Sequence, residues 1–335
     1  MRLTNDTPFP FRVTRDATDE LVSLQVRTRV LYASTTVSSP FRRDQAPAAA
    51  EPVPWPTLEL GSARRDVQVL ALGEVRAVGA PFSRRELRLR ACGREEGLTV
   101  FGPRTWIEDN RGELRPSEPM PTSALPMSWD LAYGGSHQLP PGLIEGMGLP
   151  GPSSELAWPS NPGGTGFFRR KEDALGKPLP QIEDPAVPVA RWDDRPVAHC
   201  WAPLPTRSSL RIEHWIERDG RLGVAGDPEP PPEFDTQAMV SRRMRFPLVP
   251  GDTVELTGWT SEPIVAVVPG APFVWHARAG ERAASFSPRL THLVLLPNAE
   301  SFLCFYETEV HVPLVRHWVR EASQRMSEPT ARGVD

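Results

Sequence analysis

Proline constrains this chain more than any other residue. Thirty-nine of its 335 residues are proline, more than twice the usual share of about 5%. Each proline fixes φ and removes a backbone donor, so long helices are excluded from most of the sequence. Strand signals take their place. In RRELRLRA, Leu87, Leu89 and Ala91 alternate with Glu86, Arg88 and Arg90, the period-2 pattern of a strand with one buried and one wet face. DVQVLALGEV (66–75), GLTVFG (97–102), DTVELTGW (252–259), PIVAVV (263–268), FVWHARA (273–279), THLVLLP (291–297) and SFLCFYETEVHV (301–312) read as strands too, with Gly93, Gly97, Gly251 and Gly258 turning the chain between them.

The predicted fold is therefore mainly β: antiparallel, sandwich-like lobes with long ordered Pro/Gly-rich loops and one C-terminal helix. Residues 1–135 form an N-terminal β lobe and 236–327 a C-terminal one. Between them, 136–235 carries little periodicity but holds Trp158, Phe167, Phe168, Trp192, Trp201 and Trp215, too many large apolar side chains for a disordered linker. It is expected to pack on the core as ordered loops, with short strands near RIEHWIE (211–217). After Pro313, residues Leu314, Val315, Trp318, Val319, Ala322 and Met326 form an apolar stripe, which predicts a helix over 313–327 that packs on its own core. The tail 328–335 is expected to fray. A faint echo between 84–106 and 242–260 suggests two related hairpins.

Charge and cysteine usage narrow the function classes. A formal net charge of −4 argues against nucleic-acid binding driven by bulk positive charge. Of 38 basic residues only Lys171 and Lys177 are lysine, a skew that fits a GC-rich bacterial genome. Cys92, Cys200 and Cys304 are sparse and form no CxxC, which argues against a disulfide framework and against a structural zinc site. No apolar run approaches the roughly 18 residues of a membrane span, and the N-terminus lacks a signal-peptide core. A cytoplasmic protein without a membrane partner is expected.

The stretch NPGGTGFF (161–168) looks at first like a phosphate loop. A P-loop needs a lysine directly after its last glycine, and the first lysine after Gly166 is Lys171. A dinucleotide fingerprint needs a preceding strand and a following helix, whereas Pro159 and Pro162 lie just upstream. The glycines Gly163, Gly164 and Gly166 are better explained by positive φ or by close backbone approach beneath Phe167 and Phe168. The seven histidines show no HExxH, and no GxSxG occurs. His199 and Cys200 are adjacent, and neighbours along a strand point to opposite faces, so a shared metal or a Cys–His pair is disfavoured. RWDDRP (191–196) reads as a solvated turn bridged by arginine. No catalytic, metal-binding or cofactor-binding residue is assigned, and no cofactor is expected.

Seven segments in order resemble a bacterial family, the domain of unknown function 2169, associated with type VI secretion gene clusters. TNDTPFPFRV is similar to its opening Asn-x-Thr-Pro-Phe. Residues 66–106 resemble its paired strands ending in Gly-x-Arg-x-Trp, here Gly102, Arg104 and Trp106. LPMSWDLAYGG (125–135) and NPGGTGF (161–167) resemble two Gly-rich blocks, and LPQIEDP (179–185) a Leu-Pro-Asn-Leu-Glu step. EFD (233–235) with RFPLVPGDTVELTGW (245–259), then THLVLLPNAESFLCFYE (291–307), complete the series. Departures mark a divergent member: Leu131 and Thr165 stand where the family carries basic residues, PVAHCWAP (196–203) replaces Pro-Ala-Gly-Phe-Gly-Pro, and an Asp-Gln step is missing.

The resemblance implies an accessory role, a non-enzymatic adaptor or chaperone that helps load a type VI effector onto the VgrG/PAAR spike. Its motif residues here are Arg104, Trp106, Trp129, Tyr133, Gly134, Gly135, Asn161, Pro162, Gly164, Gly166 and Phe167. Tryptophan, tyrosine and arginine concentrate binding energy at interfaces, so these residues make either an interaction surface or, the favoured reading for each aromatic, a packed inner cluster. Two other classes stand beside the adaptor: an enzyme acting on a carbohydrate or lipid through the 136–235 loops, and a structural component that travels with the spike.

Overall fold

The computed structural model describes residues 2–5, 11–15, 21–31, 66–138, 155–205, 240–271, 273–279, 282–311 and 321–326. It is mainly β and built of several sheets. The chain forms two compact units: Ala71–Met244 with Glu255–Ile264, and Met1–Leu70 with Arg245–Val254 and Val265–Asp335. The boundary expected near residue 135 falls inside the first of these, and the one near 235 lies outside the described residues.

A six-stranded sheet runs β16 (Arg245–Phe246), β4 (Val67–Ala71), β21 (Arg289–Leu296), β22 (Ser301–His311), β3 (Leu21–Leu31), β2 (Phe11–Arg15). Its strands β4, β21 and β22 carry runs of consecutive buried residues, mostly apolar, rather than alternating buried and exposed ones. All five residues of β4 and the last six of β21 are buried, as are Phe302, Leu303, Cys304, Phe305 and Tyr306 of β22. Burial on both faces removes the need for alternation.

Glu321–Met326 is a strand, β23, and not part of a helix. It pairs in parallel with β1 (Arg2–Asn5) and antiparallel with β19 (Phe273–Ala279), in a four-stranded sheet closed by β20 (Arg282–Phe286). The helix expected over 313–327 is corrected on these six residues; 313–320 and 327 lie outside the described residues. The apolar stripe is a local signal, and long-range pairing on both edges overrides it.

In the other unit, β6 (Arg84–Ala91) and β7 (Arg94–Phe101) form a hairpin in the register Ala91↔Arg94. Its two-residue turn places Cys92 at φ 49° and Gly93 at φ 74°, the backbone of a type I′ turn. The hairpin belongs to the five-stranded order β15 (Ile182–Glu183), β7, β6, β17 (Thr253–Thr257), β18 (Ile264–Val267). The chain passes from one unit to the other within β17 and within β18. The echo between 84–106 and 242–260 does not produce a second hairpin, because β16 pairs with β4 and not with β17. Smaller ladders complete the unit: β5 (Glu74–Arg76) with β10 (Ala124–Pro126), β8 (Trp106–Glu108) with β9 (Leu114–Pro116), β11 (Tyr133–Gly134) with β14 (Thr165–Gly166), and β12 (Ser136–Gln138) with β13 (Glu155–Ala157). A four-residue helix, α1 (Lys171–Ala174), follows β14. RIEHWIE lies outside the described residues.

Candidate functional site

The two Gly-rich motifs fold as one junction. β11 and β14 pair in parallel, Tyr133↔Thr165 and Gly134↔Gly166. The main-chain N–H of Thr165 donates to Ala132 (2.9 Å) and that of Phe167 to Gly134 (2.8 Å). Asn161 sits at the centre, fully buried. Its side-chain amide donates to the carbonyls of Trp129 (2.6 Å) and Tyr133 (3.2 Å), and its own carbonyl accepts from the N–H of Gly135 (3.0 Å). The glycines around it leave no room for a side chain. A Cβ on Gly134 would lie 2.1 Å from the Asn161 oxygen, and one on Gly164 would lie 2.3 Å from Asn161 Nδ2. Both values are far inside van der Waals contact, which explains glycine at these positions. Trp129 is tied from the other side, its indole N–H donating to Ala202 (2.8 Å).

A third motif block locks on through Arg104. This guanidinium is 7% exposed, lies 3.7 Å from the Phe101 ring centroid, and donates to Glu183 (2.5 Å) and to the Pro180 carbonyl (2.6 Å). Burial pushes the Glu183 carboxyl above its ordinary range, against the pull of Arg104. The second Glu183 oxygen accepts from the N–H of Val189 (3.2 Å). Trp106, with no exposed surface, packs with Leu114, Tyr133, Phe167, Phe168, Ala174, Leu179 and Val189, and Trp158 and Trp192 lean on this cluster half-buried.

At the rim, Arg195 closes the junction. Its Nη2 donates to the Phe168 carbonyl (2.7 Å), and its Nη1 to the carbonyls of Asp194 (2.8 Å) and Trp192 (3.2 Å). The guanidinium also stands 5.2 Å from the Phe167 ring centroid. The neighbouring turn is held by Asp194, whose carboxylate accepts from the N–H groups of Ala190 and Arg191 (2.8 and 2.7 Å), while Arg191 and Asp193 form an exposed ion pair at 3.0 Å. The arginine-bridged turn expected for RWDDRP is present there.

The structure thus brings together all eleven motif residues. Arg104, Trp106, Trp129, Tyr133, Gly134, Asn161, Gly166 and Phe167 are buried, and Gly135, Pro162 and Gly164 are half-buried. They form the inner cluster and not the exposed surface. The sequence pattern of a bacterial family described as uncharacterized and conserved in bacteria (DUF2169) matches residues 23–306. The chain belongs to the DUF2169 family. No curated protein and no solved structure matches it.

In this DUF2169 chain the residues that share the work of the motif set are Glu183 and Arg195. The first lies in LPQIEDP, one of the segments that resemble the family; Arg195 carried no sequence signal apart from its place beside two aspartates. His199 and Cys200 are both buried. Burial pushes the Cys200 thiol up to about 12 and, together with the charge of Arg243, pulls the His199 imidazole down to about 4. Among the described residues no group of three or more His, Cys, Asp or Glu side chains could hold a metal ion, and no helix is long and apolar enough to cross a membrane.

Proposed function

We propose that this DUF2169 protein is a non-enzymatic, cytoplasmic adaptor or chaperone that loads a type VI secretion effector onto the VgrG/PAAR spike. The observation that supports this reading is where the motif residues go. They are spent on a rigid internal junction, and that junction holds loops carrying exposed apolar side chains: Met120 is 64% and Val197 65% exposed. A binding scaffold needs pre-ordered loops, since ordering them on association would cost affinity. The sandwich-like packing of rigid β lobes belongs to the same reading. The one adjacent Cys–His pair is poorly suited to nucleophilic catalysis, because its thiol stays protonated at neutral pH and its imidazole is a weak base.

The test is co-purification of the tagged chain from its native cells with proteins encoded beside its gene. Retention of an effector or spike protein, together with loss of effector export when the gene is deleted, is the expected result. An effector that stays stable and is exported normally without this chain would overturn the reading. The chain itself should remain in the cell, which separates an adaptor from a component that travels with the spike.

A further inference from the structure

A second polar centre lies within the same unit and outside the motif junction. Arg243, in a 3-10 turn at Arg242–Met244, reaches two carboxylates on different segments. It donates to Glu96 of β7 (Nε 2.8 Å; Nη2 2.7 Å) and to Asp184, which directly follows β15. Arg94 at the start of β7 completes the clasp from the opposite direction, donating to the Arg243 carbonyl (2.8 Å) and lying 3.5 Å from Glu96. Asp184 has a further commitment, accepting from the N–H of Ala186 (3.0 Å).

His199 is buried in the same unit, within electrostatic reach of Arg243 and Asp184. It is 4% exposed, and its buried Nε2 has no hydrogen-bond partner. The charged groups it feels are Arg243, which opposes protonation, and Asp184, which favours it; its chain neighbour Cys200 is a neutral thiol. Asp184 is already engaged by Arg243 and by a backbone N–H, so no free counter-charge awaits an imidazolium. A cation there would be buried, unpaired and beside an arginine.

We propose that Glu96, Arg243, Asp184 and His199 form an acid-operated clasp, in which protonation of His199 releases the Val240–Met244 segment from β7 and from the turn after β15. The sign follows from linkage. The imidazole is held down to about 4 in the closed form, while an opened, hydrated histidine titrates near its ordinary value of about 6.5. The open form therefore binds more protons between those values. The closed form is undisturbed above about pH 6.5 and loses ground as pH falls through that window. Asp184 works against no part of this, because its carboxyl is held below its ordinary range and stays ionised there; burial, which acts in the other direction, is outweighed by its hydrogen bonds to Ala186 and Arg243. From the two imidazole values, the open population rises about twentyfold from pH 7 to pH 5.

Hydrogen–deuterium exchange of the full-length chain at pH 7 and pH 5, corrected for intrinsic exchange, tests this. In the wild type, exchange across 240–246 and 94–98 should speed up by about that factor. His199→Gln, which cannot become a cation, should abolish the acceleration, and Arg243→Gln should give fast exchange at both pH values. Equal acceleration in wild type and His199→Gln, or none in wild type, overturns the proposal. Should His199→Gln fail to fold, an NMR titration of the wild-type imidazole decides the matter. A midpoint well below the ordinary value supports the clasp; an ordinary midpoint without local opening overturns it.

Discussion

The side-chain amide of Asn161 lies 2.6 Å from the carbonyl of Trp129 and donates to it, across 32 residues of chain. With its second bond, to Tyr133 at 3.2 Å, it satisfies two acceptors deep in the fold. Asn161→Ala removes the donor to Tyr133 and leaves the Trp129 carbonyl with the N–H of Ala132 alone (3.1 Å), and one stranded acceptor costs about 1–3 kcal/mol. A loss of roughly 1–3 kcal/mol in urea unfolding is therefore expected. Asn161→Asp keeps the shape but donates only when protonated. Its folded-state pKa must rise above the unfolded value, so the stability of this variant relative to wild type should be greater at pH 5 than at pH 8. The same difference from wild type at both pH values would contradict the assignment of Asn161 as a donor.

Neighbouring glycines in the same loop should respond very differently to alanine. A Cβ on Gly164 meets Asn161 Nδ2 at 2.3 Å and the Ala132 carbonyl at 2.7 Å, whereas one on Gly163 approaches nothing nearer than Asp130 Oδ1 at 3.6 Å. Overpacking of the first kind costs about 1–3 kcal/mol or more. Gly164→Ala should lower the thermal midpoint clearly, and Gly163→Ala should leave it within error. Calorimetry on the two variants reads the contrast directly.

Arg104 and Glu183 form a pair with side chains only 6% and 3% exposed. Removing one partner strands the other's charge, at a cost of about 3–5 kcal/mol. Arg104→Met should cost more than Glu183→Gln, because it also abandons the Pro180 carbonyl. The double variant Arg104→Met/Glu183→Leu should lose less than the two single losses combined, with a coupling above about 1 kcal/mol. Strict additivity in denaturant unfolding would show that the two charges do not compensate each other.

Legibility followed the range of the interaction. Strands with their own period-2 pattern were readable from sequence: RRELRLRA became β6 with its leucines inward, because alternation is a local consequence of pleating. Burial, favoured from the sequence for each motif aromatic, is what the structure gives Trp106 and Phe167. The parallel pairing of β11 with β14 was not legible, because two-residue ladders leave no periodic trace. Glu321–Met326 misled for the same reason: an apolar stripe at helical spacing is local, and the partners that make this segment a strand lie more than 40 residues away in sequence. NPGGTGFF was recognisable as backbone architecture, yet the acceptors of Asn161 could be located only by the fold.

Arg195 offers the last test, because an arginine in a solvated turn is ordinarily worth little. Here a single guanidinium reaches the carbonyls of Phe168, Trp192 and Asp194 while facing the Phe167 ring. A planar fork holds several acceptors in fixed, separated directions, whereas an ammonium presents its three donors from one point on a flexible stem. Arg195→Lys should therefore cost about 1 kcal/mol despite keeping the charge, and Arg195→Ala roughly 1–2 kcal/mol. Both variants should also change the fluorescence of Trp158 and Trp192, which pack at the rim of the same cluster. A lysine variant with wild-type stability and emission would mean that Arg195 supplies charge alone. The junction would then depend on its aromatic packing, on Asn161 and on the Arg104–Glu183 pair, and the directed hydrogen bonds at its rim would add nothing.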